Sequence, residues 1–171
     1  MRELILGGVR SGKSALAVRL ARSSSLAVTV VATATAGDAE MAERIARHRA
    51  ARPPAWRVVE EPVALAAALR AECAVDRLVI VDCLTLWLSN LLLAEGPLES
   101  ERAGLLDALP ALPGRVLLVA NEVGLGIVPE NALARRFRDE QGALNQAVAA
   151  LCDRVTLVAA GLPIVLKGPP L

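Results

Sequence analysis

The chain has 171 residues, of which 54% are apolar and 22% charged. This balance excludes a disordered chain and predicts one domain over residues 1–171. The formal net charge of +1 and the presence of only two tryptophans and one phenylalanine argue against a protein that binds nucleic acid or a membrane surface.

The three cysteines Cys73, Cys83 and Cys152 lie in apolar runs and lack the spacing of a metal site. Buried, reduced thiols of a cytoplasmic protein explain them best. No apolar run approaches the ~20 residues of a membrane-spanning helix, and the N-terminal residues do not resemble a signal peptide. We therefore expect a soluble, cytoplasmic protein without a membrane span.

Short runs of valine, isoleucine and leucine alternate with longer segments of helical periodicity. The runs predict strands at 4–6, 27–32, 78–81, 116–120 and 155–159, and the helical patterns lie near 13–23, 39–51, 63–74, 84–94, 99–109 and 131–152. Strands that are apolar on both faces and alternate with helices are typical of a parallel sheet with right-handed crossovers. Residues 161–167 follow the last strand after a turn too short for a crossover, so they should add an antiparallel edge strand.

Residues 7–14, Gly-Gly-Val-Arg-Ser-Gly-Lys-Ser, match the pattern G-x-x-x-x-G-K-[ST] between the first predicted strand and the first predicted helix. Such a loop turns its backbone N–H groups toward phosphate oxygens, and the following helix directs its positive dipole end to the same anion. Lys13 can reach the β and γ oxygens, and the Ser14 hydroxyl can ligate Mg²⁺. The alternative is a glycine turn with an incidental lysine. We expect an α/β P-loop NTPase domain, a RecA-like three-layer fold with a mostly parallel sheet and an antiparallel C-terminal edge strand.

Asp82 follows four apolar residues at the end of a predicted strand, which is the Walker-B form of a second magnesium ligand on a neighbouring strand. The alternative is an aspartate that ends a strand or caps the helix from Leu84. The base-reading motif N-K-x-D of switch GTPases is absent, and Asp82 is followed by Cys-Leu-Thr. Length and charge favour a small-molecule kinase or nucleotidyltransferase over a motor or recombination ATPase.

His48 is the only histidine and belongs to a helical pattern that Asp38 can cap. Arg44 and Arg52 lie one turn to either side, where they would disfavour protonation and keep the imidazole nucleophilic. The same cations could neutralise a triphosphate. Two other interpretations stay open: a histidine satisfied inside the core, and a solvated basic helix end.

Four strings carry a resemblance to one family: residues 7–14, residues 44–53 with Trp56, residues 81–90, and residues 121–131 continued by 133–139. Together they resemble the bifunctional adenosylcobinamide kinase / adenosylcobinamide-phosphate guanylyltransferase of cobalamin biosynthesis. The resemblance implies phosphorylation of adenosylcobinamide with ATP or GTP. It then implies transfer of GMP from GTP to that phosphate, which gives adenosylcobinamide-GDP and pyrophosphate. A homotrimer is implied by the resemblance as well.

The resemblance also implies roles for individual residues. His48 matches the histidine that becomes guanylylated, Lys13 would stabilise the pyrophosphate as it leaves, and Ser14 and Asp82 are the expected magnesium ligands. The expected nucleotide-binding residues are Gly7, Gly8, Val9, Arg10, Ser11, Gly12, Lys13, Ser14, Thr33, Ala34, Thr35, Arg49, Ala50, Ala51, Arg52, Glu60 and Asp82. For Glu60, residue chemistry alone leaves a solvated surface carboxylate equally open.

The segment Asn121–Asn131 follows a predicted strand at the carboxyl edge of the sheet, where doubly wound folds bind ligands. We interpret it as a border of the corrinoid or nucleotide site, with a plain connector as the alternative. Two other functions stay open for the whole chain. One is a small-molecule kinase without guanylyl transfer, in which His48 is structural, and the other is a nucleotide-binding regulatory module without catalysis.

Overall fold

The computed structural model describes residues 1–50, 52–94 and 96–171, with the backbone alone at residue 44. In chain order the elements are β1 (Arg2–Gly7), α1 (Lys13–Arg22), β2 (Ala27–Ala32), α2 (Ala39–Ala50), β3 (Arg57–Glu60), α3 (Leu65–Glu72), β4 (Arg77–Asp82), α4 (Leu84–Leu93), α5 (Leu98–Ala108), β5 (Arg115–Asn121), α6 (Ala132–Leu151), β6 (Arg154–Ala159) and β7 (Leu162–Lys167). In the described part of the chain, no helix has both the length and the apolarity that crossing a bilayer requires.

The strands form one sheet in the order β3-β2-β4-β5-β1-β6-β7. All neighbouring pairs are parallel except β6 and β7, which pair antiparallel at the edge. The mostly parallel sheet and its antiparallel C-terminal edge strand are thereby confirmed. Asp82 ends β4 as predicted, but the prediction that this strand neighbours the phosphate-loop strand is wrong, because β5 lies between β1 and β4.

Strand β3 was not predicted. Its sequence is Arg-Val-Val-Glu, and three of its four residues are exposed. It pairs with β2 alone at the outer edge of the sheet, from Thr29↔Arg57 to Ala32↔Glu60. A short edge strand of this kind lacks the continuous apolar run that marks a strand covered on both faces. Its main consequence is to carry Glu60 to the carboxyl edge of the sheet.

The two faces of the sheet are covered unequally. On one face α3, α4, α5 and α6 bury a large cluster against alternate strand residues such as Leu4, Val79 and Leu118. On the other face lies a smaller cluster around Ile5, Ile80 and related residues, and within the described ranges α1 is the one helix that contributes buried residues to it. None of the described side chains of α2 is buried. Helix α2 therefore stands beside α1 as a wall and leaves space between the two helices.

Candidate active site

The loop between β1 and α1 has a backbone that only certain residues allow. Gly12 lies at φ 101°, in the left-handed region, and Arg10 lies there too at φ 56°. At Gly7 a side chain is excluded, because an added Cβ would lie 2.6 Å from the carbonyl oxygen of Val158. From the turn between β6 and β7, Gly161 donates a 2.8 Å hydrogen bond to the carbonyl oxygen of Ser11. Both glycine geometry and a distant turn therefore hold the loop tightly curled.

Two side chains within this loop have unusual surroundings. Lys13 is buried, and its Nζ donates to the carbonyl oxygen of Gly8 at 3.0 Å, so the lysine folds back over the loop. The Ser11 hydroxyl is also buried, and among the described residues it has no hydrogen-bond partner. A buried hydroxyl without a protein partner is rare and indicates a place for water or ligand. Both features are typical of a loop built to receive an anion.

Asp82, the last residue of β4, contacts His48 of α2 and Arg52, which follows α2. Its Oδ2 accepts a 2.7 Å hydrogen bond from Arg52 Nη2 and lies 3.4 Å from His48 Nδ1. Burial by itself would raise the pKa of Asp82, but the hydrogen bond with His48 and the positive Arg52 outweigh it, so the pKa lies below its ordinary value. Asp82 is therefore an ionised carboxylate that can only accept a hydrogen bond from the ring, and a neutral imidazole in this contact carries its proton on Nδ1 and its lone pair on Nε2.

This arrangement corrects the predicted surroundings of the imidazole. The sequence suggested a ring held between two guanidiniums, whereas its ion-pairing contact in the described structure is with the carboxylate of Asp82. Arg52 is nearby but is paired to the same carboxylate, and the side chain of Arg44 lies outside what the structure describes. The His48 side chain is 40% exposed, so it is not sealed inside the core.

The remaining predicted nucleotide residues divide between exposed and structural positions. Arg49 pairs with Glu60 at the sheet edge, both side chains being largely exposed. Thr33 is fully buried, and its hydroxyl donates to the Cys83 carbonyl and accepts from the Cys83 N–H. Its side chain therefore ties the end of β2 to β4. Thr35 is exposed near Asn90, Ala50 ends α2, and Ala51 lies outside the described residues.

Two cavities meet at His48. The larger has a volume of about 920 Å³ and the smaller about 140 Å³. Their shared lining consists of Val9, Lys13, Ser14, His48, Arg52, Asp82 and Val119. The smaller cavity adds three of the predicted nucleotide residues, namely Ala34, Arg49 and Glu60. The larger cavity instead runs along α1. His48, the only histidine, thus lies where the two cavities join.

The sequence reasoning assigned no role to several residues that line these cavities. Arg19, Arg22, Arg47 and Trp56 line the larger cavity. The spacing of Arg19 and Arg22 by three positions on the helix after the phosphate loop was a usable signal, because it places both on one helical face. Nothing local indicated that Arg47 and Trp56 would face the same space.

The predicted border segment Asn121–Asn131 touches the site at its first residue, since Asn121 lines the smaller cavity. Further along, Glu122 accepts a hydrogen bond from the Gly124 N–H, while Leu125 and Ile127 are 89% and 98% exposed. That the rest of this segment borders a ligand stays a prediction.

Ser14 and Asp82 have the type of oxygen ligand that a magnesium ion requires. Both line both cavities, and they offer a hydroxyl and a carboxylate oxygen, the hard ligands that Mg²⁺ prefers. In the described residues, no group of three or more His, Cys, Asp or Glu could hold a metal by itself. A magnesium ion at this place would therefore take most of its ligands from phosphates and water, as is usual at nucleotide sites.

Comparison with known proteins finds relatives along nearly the whole chain. The family model for "Cobinamide kinase / cobinamide phosphate guanyltransferase" matches residues 3–166. In Pseudomonas aeruginosa, the "Bifunctional adenosylcobalamin biosynthesis protein CobP" is 61% identical over 173 residues, which cover both chains completely. In Escherichia coli, the "Bifunctional adenosylcobalamin biosynthesis protein CobU" is 39% identical over 96% of this chain and 98% of its own length.

Solved structures with similar folds are more distant in sequence. An ATPase from the type III secretion system of pathogenic bacteria has a TM-score of 0.59 at 15% identity, over 96% of this chain and 57% of that chain. A protein from Pyrococcus horikoshii has a TM-score of 0.56 at 10% identity, over 99% of this chain and 87% of that chain. These likenesses concern the fold alone, and they agree with the expected α/β architecture and its mostly parallel sheet. The match along nearly the whole sequence confirms the family: this chain belongs to the cobinamide kinase / cobinamide phosphate guanyltransferase family.

Proposed function

We propose that this protein phosphorylates adenosylcobinamide with ATP or GTP and then transfers GMP from GTP to adenosylcobinamide phosphate. The products of the second reaction are adenosylcobinamide-GDP and pyrophosphate. Family membership and a 61% identical relative named as bifunctional support this function over a kinase that lacks the transfer. The structural observation that carries it is the only histidine, held by Asp82 at the junction of two cavities beside the phosphate loop.

Guanylyl transfer proceeds in two displacements at the α-phosphorus. In the first, the Nε2 lone pair of His48 forms a P–N bond, and the bond between the α-phosphorus and its bridging oxygen to the β-phosphate breaks. Pyrophosphate leaves toward Lys13 and the N–H groups of the loop. In the second, an oxygen of adenosylcobinamide phosphate forms a bond to the same phosphorus, the P–N bond breaks, and the lone pair returns to Nε2.

Asp82 assists both displacements without changing its protonation. It keeps the proton on Nδ1, so Nε2 points its lone pair outward. When Nε2 bonds to phosphorus the ring becomes cationic, and the adjacent carboxylate stabilises that charge. Because the pKa of Asp82 is lowered, the carboxylate stays ionised throughout the neutral range.

The kinase reaction uses the phosphate loop in a different way. The acceptor hydroxyl oxygen forms a bond to the γ-phosphorus, the bond from that phosphorus to its bridging oxygen breaks, and the hydroxyl proton passes to water. Lys13 and the loop N–H groups stabilise the charge that collects on the departing β-phosphate. Ser14 and Asp82 would hold a magnesium ion that neutralises triphosphate charge. We place the nucleotide against residues 7–14, residues 33–35, residues 49–52, Glu60 and Asp82. The buried, unpartnered Ser11 hydroxyl supports the first of these contacts.

Two further properties belong to this proposal. One domain over residues 1–171 acts as a homotrimer, as the family resemblance implies. A row of exposed apolar residues on one side of β7 offers a surface for contact between subunits, namely Leu162, Ile164 and Leu166. The protein works in the cytoplasm, where the three free cysteines would remain reduced.

Incubation with GTP labelled at the α-phosphate tests the transfer. We expect label on the protein that is stable in base and lost in acid, as a phosphoramidate is, and that disappears in His48→Ala. The His48→Ala variant should keep the phosphorylation of adenosylcobinamide, whereas Lys13→Ala should lose both reactions. A wild-type protein that phosphorylates adenosylcobinamide but takes no label would support the kinase alone. Nucleotide binding without either reaction would support a regulatory module.

A further inference from the structure

The larger cavity extends well beyond the residues matched to the nucleotide. It follows α1 from the phosphate loop to Arg22, about two and a half helical turns away along the helix. Its floor is apolar and includes Ala17, Val30 and Ile80, and Trp56 forms part of its wall. Of the predicted nucleotide residues outside the phosphate loop, Ala34, Arg49 and Glu60 line the smaller cavity instead. The α1 end of the larger cavity therefore has no assigned ligand.

This unassigned end is cationic. Arg19 and Arg22 from α1 lie at this end, Arg47 from α2 lines the same cavity, and all three are exposed. Among the side chains that the structure describes, none of the ion pairs involves these three arginines. The acidic residues in the lining are Glu40 and Asp82, and Asp82 is already paired with Arg52. An anionic ligand would thus contact several guanidinium groups and one carboxylate, that of Glu40, which makes no ion pair with the described side chains.

Guanylyl transfer needs a second anion besides GTP. The acceptor is a phosphomonoester, which carries about 1.5 to 2 negative charges near neutral pH, on a bulky and largely apolar molecule. Arginine is the residue best suited to such a group, because its planar donors match phosphate oxygens in pairs. The acceptor must also reach His48 from a direction that the guanosine does not block. The larger cavity meets both requirements, since it contains His48 and lies apart from the Glu60 side.

We propose that the α1 end of the larger cavity is the acceptor subsite, a deepening that rests on the proposed function. Arg19, Arg22 and Arg47 bind the phosphate of adenosylcobinamide phosphate and hold its tail against the apolar floor. The macrocycle is too large for the cavity and lies at its mouth, next to the half-buried Trp56 and the exposed Val9. Guanosine lies over the smaller cavity, on the Glu60 side, so donor and acceptor approach the histidine from separate sides.

The two half-reactions separate this subsite from the nucleotide site. In the double variant Arg19→Ala/Arg22→Ala, labelling of His48 by GTP needs no acceptor and should proceed at the wild-type rate. The KM for adenosylcobinamide phosphate in the second half-reaction should rise about tenfold, because two charge-assisted donors are lost. Arg47→Ala should act in the same direction. Since unphosphorylated adenosylcobinamide lacks the anion, its KM in the kinase reaction should change much less.

Arg70→Ala is the matched control, because Arg70 is exposed on α3, across the sheet. It should change neither half-reaction. Equilibrium binding of adenosylcobinamide phosphate to the wild type and the double variant gives a readout that needs no turnover. Slower labelling with an unchanged acceptor KM would assign the cavity to the nucleotide and overturn the proposal, and so would unchanged acceptor binding. Absence of label in the wild type would instead refute the proposed transfer, and the binding comparison would still decide the subsite.

Discussion

One face of the sheet carries most of the buried core, and the other carries the larger cavity. On the face covered by α3, α4, α5 and α6, Trp87 is completely buried and its Nε1 donates to the Val63 carbonyl at 2.7 Å. On the α1 face, Trp56 is half buried beside a cavity of about 920 Å³. Most of the apolar burial thus lies on one face. The other can remain open for ligands, because the hydrophobic stabilisation of the fold does not depend on filling it.

The two tryptophans give the sharpest contrast between the faces. We expect Trp87→Ala to lower the free energy of unfolding by about 3–5 kcal/mol, since it leaves a large cavity and removes the hydrogen bond to the Val63 carbonyl. Trp56→Ala, on the open face, should cost about 1 kcal/mol or less while weakening acceptor binding. Urea denaturation of both variants measures the difference. Similar losses in the two variants would show that the faces contribute equally.

Asp82→Asn tests whether the open face is organised around the imidazole. An asparagine can donate to Nδ1 and so favour the wrong tautomer, and we expect labelling of His48 by GTP to slow about a hundredfold or more. Rapid-quench measurement of the label gives this rate. The kinase reaction should fall less. An equal loss in both reactions would assign Asp82 to the magnesium ion alone.

The same carboxylate carries a pH dependence. The pKa of Asp82 is lowered in the fold, because the His48 hydrogen bond and Arg52 outweigh the effect of burial. An aspartate in the unfolded chain has a pKa of about 3.9. The stabilisation that Asp82 contributes is therefore complete above that pH and is lost as the pH falls through the lower, folded-state pKa. Urea midpoints measured from pH 7 to pH 3 should decline less in Asp82→Asn than in the wild type.

Thr33 tests the link between the ends of β2 and β4 at the carboxyl edge of the sheet, where the open face is bordered. Thr33→Val leaves the Cys83 N–H and carbonyl without their hydroxyl partner, and we expect a loss of about 1–3 kcal/mol in the free energy of unfolding. Thr35→Val, at an exposed position two residues later, is the control and should change the stability by about 0.5 kcal/mol or less. If the two variants were equally stable, the buried hydroxyl would contribute nothing to the fold.

Most of the fold could be predicted because its signals are local. The apolar runs of β1, β2, β4, β5 and β6 are long enough to identify buried strands, and the short turn before β7 requires an antiparallel return. Strand β3 was not predicted, because three of its four residues are exposed and form no apolar run. The position of β5 between β1 and β4 was not predicted either, because the order of strands depends on the crossover connections and the sequence periodicity carries no information about them.

The sequence by itself determined the phosphate loop and the family. The loop is eight consecutive residues whose glycines dictate a local backbone, and the family is written in strings of neighbouring residues. Only the tertiary structure decided that Asp82 holds His48, and that arginines from α1 and α2 line one cavity. Those relations join residues up to 34 positions apart, and they are distances in space that arise only when strands and helices pack together.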